Sequence, residues 1–150
     1  MKKYFITFIF VLFFALNVSE SFACSCGILT DTNLEILVNR GFTEASAVFS
    51  GKVVKIEQKQ KNGFKKVAFK VGKSWKTRLK NKVIVTTGED SASCGYNFDV
   101  GKIYLVYAYF DKENNQLATT ICTRTSPLKF NKDVEALNKI EKSKIKSFPK

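Results

Sequence analysis

The chain contains no histidine. That absence excludes Ser-His-Asp and Cys-His nucleophilic machinery and every histidine-ligated metal site. A second close pair of cysteines is also missing. Cys24 and Cys26 sit two apart while Cys94 and Cys122 stand alone, so the twin C-x-x-C signature of a four-thiolate zinc site is not present. No apolar run reaches the roughly 20 residues of a membrane-spanning helix; the longest, Tyr4 to Leu16, is broken only by Thr7. No internal repeat or low-complexity linker divides the chain. Acids are scarce where bases are dense: between Lys52 and Lys82 twelve Lys/Arg stand against the single acid Glu57, whereas the rest of the chain after residue 23 holds eleven of each.

The N-terminal stretch reads as an export signal. Lys2 and Lys3 form a charged start, Tyr4 to Leu16 an apolar middle, Asn17 to Glu20 a polar segment, and Ser21-Phe22-Ala23 place small residues where a signal peptidase reads. Cleavage after Ala23 is expected, giving a secreted or extracytoplasmic protein in the periplasm or cell envelope. A transmembrane anchor needs a longer run. Lipoprotein processing at Cys24 would favour Leu three residues earlier, where Ser21 stands, followed by bulky Phe22. Residues 24–150 suffice for one compact domain but not comfortably for two. The expected organisation is a signal peptide over 1–23, a barrel domain over 24–130, and a C-terminal helix and tail over 131–150 packing on that barrel.

All four cysteines lie in the exported part, and an even number in an oxidising compartment reads as two disulfides. Bridging Cys24 to Cys26 on an extended segment would be strained, so each is expected to reach a distant partner, Cys94 or Cys122. Closing loops of about 70 to 100 residues corresponds to about 4 kcal/mol per bridge in the chain-entropy treatment. The N-terminus is then pinned. If Cys24 is the first residue of the exported chain, its free α-amino group and its own carbonyl oxygen can close a five-membered chelate on a metal ion.

Local patterns predict a mostly β domain. Thr30 to Arg40 reads as a short helix, with Thr32 and Glu35 at capping-box spacing and Gly41 as its stop. Strands are predicted over Ala47 to Glu57, with Gly51 at a bulge, and over Phe64 to Trp75, with Lys61-Asn62-Gly63 as the turn between them. In the second strand Val67, Phe69 and Val71 alternate with Lys66, Ala68 and Lys70. Further strands are predicted over Lys82 to Thr87, Lys102 to Phe110 and Leu117 to Cys122, with Gly88 to Asp99 as a loop, Asp111 to Asn115 as a turn and Pro127 ending the sheet. On the fourth strand Tyr107 and Tyr109 share one face and Tyr104 takes the other. From Asn131 a helix is predicted whose stripe is Val134, Leu137 and Ile140 and whose later turns carry Lys139, Lys142 and Lys144; Ser147 to Lys150 fray. Five strands and two helices in a chain of this size indicate an all-β, OB-fold-like, five-stranded Greek-key barrel with short flanking helices and a disulfide-linked N-terminus.

Candidate chemistry is limited. Glu89 and Asp90 are adjacent in a loop and read as turn solvation, so an enzyme is not expected, and neither a cofactor nor an intrinsic metal is implied. The lysine block reads first as the solvated outside of a sheet. Alternatively, Lys65, Lys66, Lys70 and Lys73 hold a polyanion such as a glycan or anionic lipid, or another envelope protein, since OB-type barrels commonly bind across strands two and three. Phe64, Phe69 and Trp75 lie among these lysines, and core roles are expected for them. A monomer is expected.

Several motifs taken together resemble the tissue inhibitor of metalloproteinases family and the related netrin modules. They are Cys24-Ser25-Cys26 at a processed terminus, Val48-Phe49-Ser50-Gly51-Lys52-Val53-Val54, Phe69-Lys70-Val71 leading to Trp75-Lys76, and Ser93-Cys94-Gly95-Tyr96. Gly101-Lys102-Ile103-Tyr104-Leu105-Val106-Tyr107 and Cys122 complete the set. The likeness spans residues 24 to 125 and is to a bacterial-type, single-domain member. It implies an OB-like barrel, pairing of Cys24 with Cys94 and Cys26 with Cys122, and inhibition of a zinc metalloendopeptidase. The Cys24 amine and carbonyl would bind the target's catalytic zinc, and the Ser25 side chain would enter its specificity pocket. The third barrel disulfide and second cysteine-rich domain of animal members are missing, and Gly27-Ile28-Leu29 stands where a proline-containing segment is usual.

Overall fold

The computed structural model describes residues 24–27, 31–58 and 63–147. The leader over 1–23, Thr30, the turn residues Lys61 and Asn62, and the end of the tail lie outside these. The elements are helix α1 (Leu34–Glu44), strands β1 (Ala47–Glu57), β2 (Phe64–Lys76), β3 (Lys82–Gly88), β4 (Ile103–Asp111), β5 (Gln116–Ala118) and β6 (Ser126–Pro127), a 3-10 turn (Leu128–Phe130) and helix α2 (Asp133–Ser147).

The sheet closes on itself. Its order is β1-β2-β3-β5-β4, and β4 pairs back onto β1, giving a five-stranded barrel with OB-type connectivity; the short β6 is added beside β4. All pairings are antiparallel except β3 with β5. The alternation read from β2 points Val67 and Phe69 inward, where they meet Phe49, Val53, Val85, Tyr104, Val106 and Ala108. Ring edges of Phe49, Phe69, Phe98 and Tyr104 meet at centroid separations of 4.9 to 5.6 Å and plug the interior. Register shifts in β1 next to Gly51 and again between Val53 and Lys55 coil the strand so that it borders both β2 and β4.

A second apolar layer lies outside the barrel. Val48, Trp75, Leu105 and Tyr107 face outward and are covered by Val38 and Phe42 of α1 and Ala136 and Leu137 of α2. This is the stripe expected of the C-terminal helix, with Val134 and Ile140 packed at its margins. Trp75 donates from Nε1 to Asn138 Oδ1 at 2.8 Å, which fixes α2 against β2. Under α2, Asp133 is buried and accepts from Arg124 Nε and Nη2, each at 2.7 Å, and from the Tyr107 hydroxyl at 3.0 Å. Burial, with the Asp133 carboxylate adding to it, pushes the Tyr107 phenol far above its ordinary pKa.

Several expectations are corrected. α1 begins at Leu34 with Asn33 as its cap, accepting from the Glu35 and Ile36 amides, and neither Thr32 nor a capping box starts it. Gly41 lies inside α1 and does not end it. A Cβ there would stand 2.8 Å from Arg124 Cδ, so glycine serves close approach at this point. The fifth strand stops at Ala118, not Cys122. Beyond it, Thr119, Thr123 and Thr125 hydroxyls bond one another, Thr119 donates to the Tyr107 carbonyl at 3.0 Å, and Thr125 Oγ1 accepts from the Tyr107 amide at 3.0 Å. Side-chain oxygens thus replace ladder partners and let the chain turn. The sheet does end at Pro127, as expected, but by way of the added strand β6, in which Pro127 stands opposite Tyr104.

Candidate functional site: the disulfide-clamped rim

Cys24 is bonded to Cys94 and Cys26 to Cys122, with Cα separations of 5.1 and 5.2 Å. This is the connectivity implied by the family resemblance. The two bridges lie side by side: Cys24 Sγ is 3.9 Å from Cys122 Sγ, and the sulfurs of Cys24, Cys94 and Cys122 fall within 4.8 Å of one another. Bonded in pairs, they offer no thiolate to a metal or a substrate.

The loops that receive the bridges are built to hold them. In the β3–β4 connection, Asp90 Oδ1 accepts from the Ser93 amide at 2.9 Å, while Gly95 donates its amide to the Asp90 carbonyl at 2.6 Å. The Ser93 amide first, and then the Ser93 hydroxyl at 3.0 Å, hold the Asp90 carboxyl below its ordinary pKa. Cys94 adopts a left-handed backbone with φ of 58°. Gly95 follows it because the Gly88 and Gly95 backbones touch; a Cβ on either would collide with the other's main chain. The Tyr96 amide then donates to Thr87 Oγ1 at 2.7 Å, anchoring the loop to β3. The Ile121 amide donates to the Cys94 carbonyl at 3.0 Å and ties this loop to the threonine-rich turn carrying Cys122.

The N-terminal segment rides on this base. Ser25, Cys26 and Gly27 are exposed and Cys24 is half-buried. Among the described residues, no backbone hydrogen bond engages Cys24, Ser25, Cys26 or Gly27, so the two covalent bridges hold the segment in place. Beside it, Ile121 is 42% exposed. A cavity of about 320 Å³ opens between the segment and α1, lined by Cys26, Gly27, Leu37, Tyr107, Tyr109 and Arg124 among others.

The four lysines expected to hold a polyanion are not brought together. Lys66 and Lys70 lie on the outer face of β2. Lys65 reaches Asn97 Oδ1 at 3.5 Å. Lys73 is engaged by α2: it pairs with Glu141 at 2.8 Å, donates to Asn138 Oδ1 at 2.9 Å, and stands over the Trp75 ring. The alternation that put Lys66 and Lys70 on one face could not foresee that α2 claims Lys73. Phe69 and Trp75 are core residues and Phe64 is half-buried. The Tyr107, Arg124 and Asp133 cluster was not anticipated, because its members carry no periodic signal and meet only when α2 folds onto the sheet.

No protein-family model matches the chain, and no curated protein matches it either. What is established is a class: a small disulfide-bridged β-barrel of OB-like form. Its two disulfides fit an oxidising, extracytoplasmic environment, and no helix among the described residues is long and apolar enough to cross a membrane.

Proposed function

We propose that this protein is a secreted or envelope-located inhibitor of zinc metalloendopeptidases of the metalloproteinase-inhibitor and netrin type. It would act through the backbone amine and carbonyl of Cys24 after cleavage following Ala23. The observation carrying this reading is the clamp: a Cys24-Ser25-Cys26 segment, half-buried at Cys24 and exposed at Ser25 and Cys26, held by two adjacent disulfides and by no backbone hydrogen bond among the described residues. The sulfurs are consumed in positioning, so the chemistry falls to main-chain atoms. Catalytic zinc keeps one position open, normally filled by water. An α-amino group with a reference pKa of about 7.7 to 8.0 is partly neutral at physiological pH, and zinc displaces its remaining proton. The bridges fix the chelating atoms before binding, which reduces the ordering cost of association. Ser25, next in the chain and exposed, is the side chain that would enter the target's pocket. A sulfur bonded to Cys94 is also unavailable for thioether lipidation, so the bridge favours a free terminus over a lipid anchor.

The test compares the exported protein beginning at Cys24 with forms carrying one extra N-terminal Ala or an acetylated Cys24, against a panel of zinc endopeptidases. Inhibition confined to the free Cys24 form is expected, weakening about tenfold per pH unit below the amine pKa. Equal inhibition by all forms, or by none, would sink the chelation mechanism.

A further inference from the structure

The outer surface of the barrel is divided. The helices cover the half containing Val48, Trp75, Leu105 and Tyr107, and leave uncovered the half where β1, β2 and β3 carry the lysine block. There the strand registers place Lys52 directly opposite Lys70, and Lys70 directly opposite Lys82. Three exposed ammonium side chains therefore form a row across three adjacent strands, each step about 4.8 Å. Like charges so placed disfavour the sheet. Among the described residues, no carboxylate forms an ion pair with any of the three. Glu57, the one acid in this stretch, is paired with Lys55 at 2.7 Å.

Edge protection does not account for the row. Lys52 is flanked by β2 and by Ile103 of β4, and Lys70 by β1 and β3, so neither sits on a free edge. Between the cations the same surface shows aliphatic side chains. Ile103, opposite Lys52, is 48% exposed; Ile84, two residues beyond Lys82 on the same face, is 54% exposed; Val54, at the β1 bulge, is 42% exposed.

We infer that the Lys52–Lys70–Lys82 row with Val54, Ile84 and Ile103 is a docking face for a bilayer surface rich in anionic phospholipid. Phosphate headgroups supply the missing counter-charges. The aliphatic side chains enter the headgroup boundary, where apolar burial adds to electrostatic attraction. A sulfated glycan or nucleic acid would satisfy the lysines alone. It would leave Val54, Ile84 and Ile103 without a role, and none of the six side chains of the face is an aromatic ring for base stacking. Lysine suits headgroups, being a mobile point charge that needs no fixed fork geometry. The inference is independent of Cys24, which belongs to a different part of the barrel surface.

The experiment is sedimentation of the oxidised, exported protein with vesicles of phosphatidylcholine alone or with about one third phosphatidylglycerol, at low and high salt, beside retention on heparin. Binding to the anionic vesicles only, lost at high salt, is expected. The triple variant Lys52→Gln/Lys70→Gln/Lys82→Gln lowers partitioning about a hundredfold, roughly fivefold per lysine. Ile84→Ser lowers vesicle binding several-fold while leaving heparin retention unchanged. A control, Lys112→Gln/Lys132→Gln/Lys142→Gln, removes equal charge elsewhere and keeps binding; thermal melts verify that every variant folds. Any of three results overturns the inference: no binding to anionic vesicles, equal loss in the control triple, or heparin retention that follows the lysine row while Ile84→Ser leaves vesicle binding unchanged.

Discussion

The two halves of the barrel's outer surface share β1, β2 and β4, yet they have opposite fates. On the helix-covered half no buried side-chain polar atom of the described residues lacks a partner: Trp75 bonds Asn138, Lys73 pairs with Glu141, and Tyr107 and Arg124 converge on Asp133. On the open half Lys70 stands opposite both Lys52 and Lys82, and none of the three has a carboxylate partner among the described residues. Burial in the first half leaves an unpaired group costly, whereas solvent in the second makes repulsion cheap enough to keep. Where polar groups are satisfied internally the surface supports the fold; where they are not, it is available for something else.

That contrast can be broken most severely at Asp133. Arg124→Ala strands a buried carboxylate and is expected to cost about 3–5 kcal/mol, read as a fall in urea midpoint, with Arg124→Ala/Asp133→Asn recovering part of it. Truncating the covering helix is next. Leu137→Ala should cost about 2–5 kcal/mol through lost contacts and a residual cavity, while Ile84→Ala on the open half should stay within about 0.5 kcal/mol. Alkali probes the covered half without mutation. Because the folded Tyr107 pKa is raised, its contribution is fully present below the unfolded value near 10 and is lost as pH rises above it. Stability should fall by about 1.4 kcal/mol per pH unit from this residue, and Tyr107→Phe should flatten that slope in melts recorded above pH 10. The smallest effect sharpens the other side: Lys70→Gln should leave the melting temperature unchanged or slightly higher, since it removes two repulsive like-charge contacts worth a few tenths of a kcal/mol.

Much of the barrel was legible from local pattern. β1 was expected over Ala47 to Glu57 and is found there, and β2, β3 and β4 fall within a residue or so of expectation, because inward Val, Phe and Tyr recur at period two and turns separate them. The start of α1 and the end of β5 were misplaced for a shared reason. In both, a polar side chain competes with regular backbone pairing: Asn33 takes the cap from Thr32, and the threonine hydroxyls divert the chain after Ala118. At the rim, the pairing of Cys24 with Cys94 and Cys26 with Cys122 is the one implied by the family resemblance. That the two bridges would lie side by side could not be read from spacing.

The one-dimensional order of residues determined the strand faces, the number of bridges and the excess of lysine, since each follows from side-chain type and periodicity. Tertiary structure alone decided which lysines matter. Only strand register, a property of pairing between distant segments, sets Lys52, Lys70 and Lys82 in one row, and only the landing of α2 gives Lys73 its partner Glu141.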